Sequence, residues 1–258
     1  MKKLFLSFAL TVLIVVIFIN NSNSKSFERI NVICEIEESC NKKFATLYLY
    51  DEDEIDKKKA IMLFLPGGEG NYNKLPPFFN YLLKDLGIAI LNPGYNMPNP
   101  NGDPPLRYSS DYQEKIRSSI LLLKKRYNKQ VWLNGHSAGG PGIAGFLKKN
   151  LKSEDYLAGV IYSGANSKSW SGDNKKNLPI LIIHHKDDRC QSNSYDGAKS
   201  KLKKYSKINS SVTKLVTIEG GGPFKFNPCS GQDNRHSFTG KEKEYAESVL
   251  QFIKENTK

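Results

Sequence analysis

The sequence predicts one α/β domain, built on a mostly parallel, twisted sheet that is flanked by helices. Short apolar runs rich in β-branched residues recur along the chain, and turn residues follow each of them. Stretches with helical spacing lie between these runs, and strands that alternate with helices are typical of a parallel sheet. A chain of 258 residues, 39% of them hydrophobic, is large enough to bury the core of one such domain.

The predicted elements alternate from residue 44 onward. The predicted strands are Phe44–Tyr50, Ala60–Leu65, Gly87–Leu91, Val131–Asn134, Ala158–Tyr162, Pro179–Ile183 and Lys214–Ile218. The predicted helices are Leu75–Lys84, Asp111–Tyr127, Ala138–Lys149, Tyr195–Tyr205 and Lys241–Lys254. Ligand sites in such sheets form at the carboxyl ends of the strands, so the residues that follow each strand are the functional candidates. These are residues 66–70, 92–108, 135–138, 163–164, 184–190 and 219–236.

The N-terminus has the pattern of an export signal. Two lysines precede the apolar run Leu4–Ile19, and small residues up to Ser24 follow it. This pattern predicts a signal peptide over residues 1–24, a folded domain over 25–258, and a secreted or periplasmic location. An uncleaved membrane anchor is the alternative, although the apolar run is shorter than the ~17–25 residues that a spanning helix needs.

The chain is basic, with a formal net charge of +12, and it remains basic once the two lysines of the signal are removed. Lysines and arginines recur in short runs such as Lys57–Lys59 and Lys124–Arg126, which indicates a solvated surface. The sequence carries no nucleic-acid-binding motif, so we expect no nucleic-acid partner. Weak binding to anionic polymers of the cell envelope is the interaction that this charge favours.

Four cysteines follow the signal: Cys34, Cys40, Cys190 and Cys229. An even number in an exported chain predicts two disulfides, for which three pairings exist. The favoured pairing joins Cys34 to Cys40 across a short local loop and leaves Cys190 with Cys229. No pair of cysteines or histidines has the spacing of a zinc site, so we expect no metal ligands.

Gly135–Gly139 reads G-x-S-x-G directly after an apolar strand and before a helical stretch. A sharp turn between strand and helix would hold the hydroxyl of Ser137 clear of the backbone, and the flanking glycines avoid clashes there. Ser137 is therefore the predicted nucleophile. The N–H of Ala138, at the positive end of the helix dipole, is the predicted first donor to an oxyanion. A chance serine in a glycine-rich turn is the alternative.

With the strand, the sharp turn at Ser137 and the helix in this order, the chain resembles the α/β-hydrolase family over about Ala60–Ile253. The resemblance implies a nucleophile, an acid and a histidine in that order along the chain. It also implies an oxyanion loop after an early strand. Here Pro66 stands in place of the usual histidine of that loop, but the backbone donors remain, with Gly68 favoured as the second donor and Gly67 next to it.

The acid is expected after a late strand. The segment His184–Cys190 resembles the family's His-Gly-x-x-Asp, with His185 in the place of the glycine. The spacing favours Asp188 over Asp187. An acid at this point would fix the orientation of the base and stabilise the imidazolium.

His236 is the predicted base because it is the one histidine that follows the acid along the chain. It precedes the final helical stretch, as the family's base does, and the alternative is a surface loop histidine. A disulfide between Cys190 and Cys229 would then tie the acid loop and the base loop together beside the site.

The resemblance implies hydrolysis of a carboxylic ester through an acyl-enzyme on a Ser-His-Asp triad, without a cofactor. The segment Ser163–Leu178 is too short for a large cap domain, which favours small-molecule or polymer-attached esters. A peptidase or lactone hydrolase on the same triad is one alternative, because the fold does not choose the substrate. A non-catalytic, basic, envelope-binding protein is the other.

Overall fold

A computed structural model describes residues 27–32, 45–68, 73–94, 104–149, 156–165, 178–190, 193–209, 212–222, 229 and 235–257. Its strands are β1 (Phe27–Val32), β2 (Ala45–Tyr50), β3 (Ala60–Leu65), β4 (Leu86–Asn92), β5 (Val131–His136), β6 (Gly159–Ser163), β7 (Ile180–His185) and β8 (Thr213–Ile218). Its helices are α1 (Pro104–Tyr108), α2 (Ser110–Tyr127), α3 (Gly139–Lys149), α4 (Tyr195–Asn209) and α5 (Glu242–Asn256).

The strands form one eight-stranded sheet in the order β1-β2-β4-β3-β5-β6-β7-β8. β1 pairs with β2, and β2 with β4, in antiparallel register, whereas every pairing from β4 to β8 is parallel. The prediction of a mostly parallel sheet is therefore confirmed. The parallel strands end at one edge, so that the segments after β3, β5, β6 and β7 lie side by side.

Both faces of the sheet are covered, which is why β3 is buried at every position. Its side chains alternate between two apolar clusters, with Ile61, Leu63 and Leu65 in one and Met62 and Phe64 in the other. Helices α2, α3 and α4 contribute to the first cluster, and α5 contributes to the second. The central strands are thus held rigidly beneath the edge where they end.

Two elements differ from the prediction. The helix predicted over Leu75–Lys84 is wrong, because only Pro77–Phe79 form a short 3₁₀ turn there. Its hydrogen bonds run from Phe79 to Pro76 and from Asn80 to Pro77, each spanning three residues. Each proline disfavours the α conformation for the residue before it, and Pro76 is extended, with ψ at 139°. Strand β1 was not predicted, since half of its short FERINV run is polar or charged.

Several predictions fall outside the described residues. They include the signal peptide over residues 1–24, Cys34, Cys40 and most of the loop from Asn92 to Pro105. No helix in the part of the chain that the structure describes is both long enough and apolar enough to cross a membrane.

Candidate active site

The turn between β5 and α3 holds Ser137 in the left-handed region of backbone space, with φ at 51°. A non-glycine residue rarely adopts this conformation, so neighbouring contacts must hold it there. The Ser137 N–H donates to the carbonyl of Ser163 at 3.0 Å, and its own carbonyl accepts from the N–H of Gly140 at 3.1 Å. The strained turn is therefore tied both to the neighbouring strand β6 and to the first turn of α3.

The glycines of the turn are required by close packing. A β-carbon on Gly135 would lie 2.6 Å from the carbonyl oxygen of Gly139, and one on Gly139 would collide with the carbonyl of Leu65. The small residues let the helix start against the ends of β3 and β5. The N–H groups at the start of α3, including that of Ala138, lie in the turn beside Ser137.

The loop after β3 approaches the same serine. A β-carbon on Gly67 would lie 2.6 Å from Cβ of Ser137 and 3.2 Å from its hydroxyl oxygen, so the loop backbone reaches the serine only because Gly67 has no side chain. Gly68 has φ at 53°, which suits glycine. The structure thus places the predicted oxyanion loop beside Ser137, with Gly67 in contact with the serine and Gly68 next along the chain.

Arg107, a residue of α1, holds this loop through two hydrogen bonds. Its guanidinium donates from Nη1 to the carbonyl of Pro66 at 3.1 Å and from Nη2 to the carbonyl of Gly68 at 3.3 Å. Arg107 is buried, and its own carbonyl accepts a hydrogen bond from Nε2 of Gln113. With two of its carbonyls occupied by Arg107, the loop has a fixed orientation. The predicted functional range 92–108 contained Arg107, but nothing in the sequence singled it out.

The two candidate acids have different partners. Oδ2 of Asp188 lies 2.7 Å from Nδ1 of His236, and the side chain of Asp188 is 1% exposed. Its Oδ1 accepts from the N–H of Cys190 at 2.9 Å. Asp187 instead forms an ion pair at 3.0 Å with Arg235 and has a half-exposed side chain. Asp188 is therefore the carboxylate that contacts the predicted base.

His236 lies in a 3₁₀ turn, Arg235–Ser237, before α5. Its buried ring packs on the ring of His136 with a centroid distance of 4.8 Å. Burial lowers the pKa of His136 well below its ordinary value, and the neighbouring His236 lowers it further. His136 is therefore neutral at pH 7. It packs against the predicted base, His236, without placing a positive charge beside it.

Asn193 is a site residue that the sequence reasoning missed, because the range taken after β7 ended at Cys190. Its side-chain Nδ2 lies 3.0 Å from Oγ of Ser137 and 3.3 Å from Nε2 of His236. The residue is 1% exposed. The structure thus brings together Ser137, Asn193, His236 and Asp188 in one array of contacts.

His184, at the end of β7, lies below this array. Its Nε2 is 2.6 Å from the carbonyl oxygen of Asn193 and 3.5 Å from Oδ2 of Asp188. Burial lowers the pKa of His184 to about 4, although the nearby Asp188 acts in the opposite direction. A neutral His184 therefore donates from Nε2 to the carbonyl of Asn193 and fixes the backbone there. The carboxylate of Asp188 keeps its shorter contact with His236.

A disulfide joins Cys190 to Cys229, with an S–S distance of 2.14 Å and a sequence separation of 39. The bridge attaches the turn that carries Asp188 and Asn193 to the segment that precedes His236. The predicted pairing of these two cysteines is present in the structure. Across the described ranges, no three His, Cys, Asp or Glu side chains are grouped so that they could hold a metal ion.

No protein-family model matches the sequence, and no curated protein is similar to it at a significant level. Solved structures are similar in fold. An α/β serine hydrolase without a lid from Xanthomonas campestris is 11% identical, with a TM-score of 0.58 over 89% of this chain and 94% of that one. Est1E from Butyrivibrio proteoclasticus with ferulic acid bound is 14% identical, with a TM-score of 0.57 over 88% and 98%.

A dienelactone hydrolase from Anabaena variabilis is 11% identical, with a TM-score of 0.55 over 90% of this chain and all of that one. At these identities the three structures report on architecture rather than on substrate. The strand order, the turn at Ser137 and these neighbours together confirm that the chain has the α/β-hydrolase fold.

Proposed function

We propose that the protein is a serine hydrolase of carboxylic esters, with Ser137 as nucleophile, His236 as base and Asp188 as acid. The observation that carries the proposal is the 2.7 Å contact between Nδ1 of His236 and the buried carboxylate of Asp188. The side chain of Asn193 joins this histidine to Ser137, the serine in the strained turn. The order nucleophile, acid, histidine along the chain also supports it.

The arrangement supports the following chemistry. The carboxylate of Asp188 accepts a hydrogen bond from the Nδ1–H of His236, which fixes the tautomer in which Nε2 is the base. Nε2 takes the proton of the Ser137 hydroxyl as its oxygen attacks the ester carbonyl. His236 then gives that proton to the leaving alcohol, and an acyl-enzyme on Ser137 remains. Water then attacks the acyl-enzyme while His236 takes its proton. His236 returns this proton to the oxygen of Ser137, and the carboxylic acid product leaves.

The negative charge on the carbonyl oxygen needs donors at each attack. The Ala138 N–H at the start of α3 is the first, and the loop backbone at Gly68, with Gly67 beside it, supplies the second. Gly67 supports this assignment because its backbone lies against the serine. Arg107 supports it because its two hydrogen bonds hold the carbonyls of Pro66 and Gly68 and so fix the orientation of the loop. None of these steps draws on a cofactor.

Intact-mass labelling with a fluorophosphonate tests the proposal. We expect one adduct on the wild-type protein, none on Ser137→Ala, and a labelling rate lower by at least about a hundredfold on His236→Ala. A folded, oxidised wild-type protein that stays unlabelled would contradict the proposal. It would favour a non-catalytic, basic protein of the envelope. Such a protein would bind an anionic polymer, and added salt would weaken that binding.

A substrate panel then separates the chemistries that one triad can carry out. Short-chain p-nitrophenyl esters, methyl ferulate, a γ-lactone and a p-nitroanilide represent ester, hydroxycinnamate, lactone and amide bonds. The names of the neighbours, ferulic acid for Est1E and dienelactone hydrolase for the Anabaena protein, select the second and third compounds. We propose ester bonds as the preferred class, so the highest kcat/KM among these is expected for an ester.

We also propose that the mature protein is exported and begins after about Ser24. The disulfide beside the site supports this proposal, because such bridges persist in oxidising compartments. N-terminal sequencing of the protein from cell fractions tests it. A start near residue 25 in the secreted or periplasmic fraction is expected, whereas an intact N-terminus in the membrane fraction would show an anchor instead.

A further inference from the structure

The side chain of Asn193 lies between the proposed nucleophile and the proposed base. Its Nδ2 is within hydrogen-bond distance of both Oγ of Ser137, at 3.0 Å, and Nε2 of His236, at 3.3 Å. Among the residues that the structure describes, Oγ of Ser137 and Nε2 of His236 share no direct hydrogen bond. The amide of Asn193 therefore joins the two groups that must exchange a proton.

The direction of these hydrogen bonds matters. His236 donates from Nδ1 to Asp188, so the neutral ring has one acceptor left, the lone pair on Nε2. An amide nitrogen is a donor with two hydrogens, and Asn193 can direct one to Nε2 and the other to Ser137. A serine hydroxyl cannot donate to a lone pair that is already occupied. The amide must therefore leave Nε2 before Ser137 can pass its proton to His236.

The backbone of Asn193 is fixed, but its side chain has an incomplete set of partners. Its N–H donates to the carbonyl of Cys190 at 2.8 Å, and its carbonyl accepts from His184 at 2.6 Å. The side-chain Oδ1 is buried and has no hydrogen-bond partner within the described part of the chain. An unsatisfied buried acceptor is unfavourable, so this orientation of the amide carries a cost that another orientation could relieve. Rotation of the side chain alone would free Nε2.

We propose that Asn193 is a positioning residue that gates the site. In the resting protein its amide occupies Nε2 of His236 and holds Oγ of Ser137, and a substrate that enters beside Ser137 turns the amide aside. Ser137 then donates directly to His236, and attack begins. This inference rests on the proposed function, because the gate has an effect only if Ser137 and His236 exchange a proton.

The first test compares the second-order rate constant for fluorophosphonate labelling of the wild-type protein and Asn193→Ala. Alanine removes the amide and keeps both backbone hydrogen bonds. Removing one hydrogen bond that competes for Nε2 is expected to raise the labelling rate about three- to tenfold. Asn80→Ala, a change of the same kind at an exposed asparagine, is expected to leave the rate unchanged. An equal or lower rate in folded Asn193→Ala overturns the gate.

The second test uses Asn193→Asp and the pH profile of labelling. An ionised carboxylate beside Nε2 would favour the protonated ring, so the rate at pH 7 is expected to fall at least about tenfold and the midpoint of the profile to rise by about one pH unit or more. A residue with a merely structural role would not move that midpoint. An unchanged midpoint overturns the proposal, and this variant serves as the test if Asn193→Ala does not fold.

The two proposals fail in different ways. A wild-type protein that is not labelled at Ser137 removes the proposed hydrolase activity, and the gate with it. A wild-type protein that is labelled at Ser137, together with an Asn193→Ala variant that is labelled no faster, contradicts the gate alone. Thermal unfolding of each variant shows that the rates compare folded proteins.

Discussion

Nδ1 of His236 lies 2.7 Å from Oδ2 of Asp188, and both side chains are almost completely buried. The contact favours the tautomer in which Nε2 carries no proton, as the proposed base requires. Asp188→Asn would preserve the shape but replace this acceptor with an amide, whose nitrogen favours the wrong tautomer. We expect kcat for a p-nitrophenyl ester to fall about 10³- to 10⁴-fold, by analogy with the same change in serine proteases.

The adjacent carboxylate provides a matched control. Asp187 is half-exposed and pairs with Arg235 at 3.0 Å, a surface ion pair that contributes little. Asp187→Asn is expected to change kcat by less than about threefold. Equal losses in the two variants would mean that the acid has been assigned to the wrong residue, and thermal unfolding of both variants excludes a loss of folded protein.

Arg107 should act on the rate through the oxyanion loop. Its guanidinium donates to two loop carbonyls, and a lysine at this position, with a single compact ammonium group, cannot match the planar fork. Arg107→Lys is therefore expected to lower kcat about 10- to 100-fold while KM changes less than about threefold, because the loop donors act mainly in the transition state.

Arg117→Lys is the control for Arg107→Lys. Arg117 lies on α2 and pairs with Glu114 at 3.6 Å on a partly exposed face of the helix. We expect its kcat to stay within about twofold of wild type. A rise in KM with an unchanged kcat in Arg107→Lys would show that Arg107 contributes to substrate binding and not to the oxyanion loop.

The sheet and most of its helices were predictable because their patterns are local. Strand β3 is a continuous apolar run, as a strand buried on both faces must be, and α5 has clear helical spacing. Strand β1 lacks such a pattern, since three of its six residues are polar or charged and its three apolar residues are not regularly spaced. It belongs to the sheet because it pairs with β2, and tertiary pairing of this kind leaves no signal in the strand's own sequence.

The site divides in the same way. Ser137 was predictable because the strained turn needs glycines at fixed positions, and His236 because few histidines exist. Asn193 and Arg107 occur in no motif that marks them. They reach Ser137 and the loop from segments distant along the chain, through contacts that only the folded sheet creates. The spacing favoured Asp188 over Asp187, and in the structure their different partners, His236 and Arg235, separate the two carboxylates.

The disulfide between Cys190 and Cys229 is expected to stabilise both the fold and the site. It closes a loop with 39 residues of separation, for which the loss of chain entropy in the unfolded state corresponds to roughly 3–4 kcal/mol. The double variant Cys190→Ser, Cys229→Ser should therefore unfold about 6–16 °C lower than wild type. Its kcat should also fall, because the turn of Asp188 and Asn193 loses its anchor.

Chemical reduction is not an adequate substitute for this double variant, since it would also reduce the disulfide predicted between Cys34 and Cys40. Comparing the double variant under oxidising and reducing conditions isolates the effect of those two cysteines. An unchanged melting temperature in the double variant would show that the bridge contributes nothing to the folded state. A lower melting temperature with an unchanged kcat well below it would show that the bridge is structural only.

His184 should make the stability of the fold depend on pH. Its pKa is lowered from 6.5 to about 4 in the folded chain, so between these values the unfolded chain binds a proton that the folded chain does not. The free energy of unfolding therefore rises with pH across this window: the contribution is complete above about pH 6.5 and is lost as the pH falls to about 4. The largest slope from one histidine is about 1.4 kcal/mol per pH unit.

Urea unfolding of the wild-type protein and His184→Gln at several pH values from 4 to 7.5 measures this contribution. Glutamine keeps a donor near the carbonyl of Asn193 but does not titrate in this range. The slope of the free energy of unfolding against pH should be smaller in the variant by up to about 1 kcal/mol per pH unit. Some slope should remain, because burial also lowers the pKa of His136. Identical slopes in the two proteins would mean that His184 binds its proton equally well in the folded and unfolded chains, in which case the buried contact with Asn193 does not depend on a neutral ring.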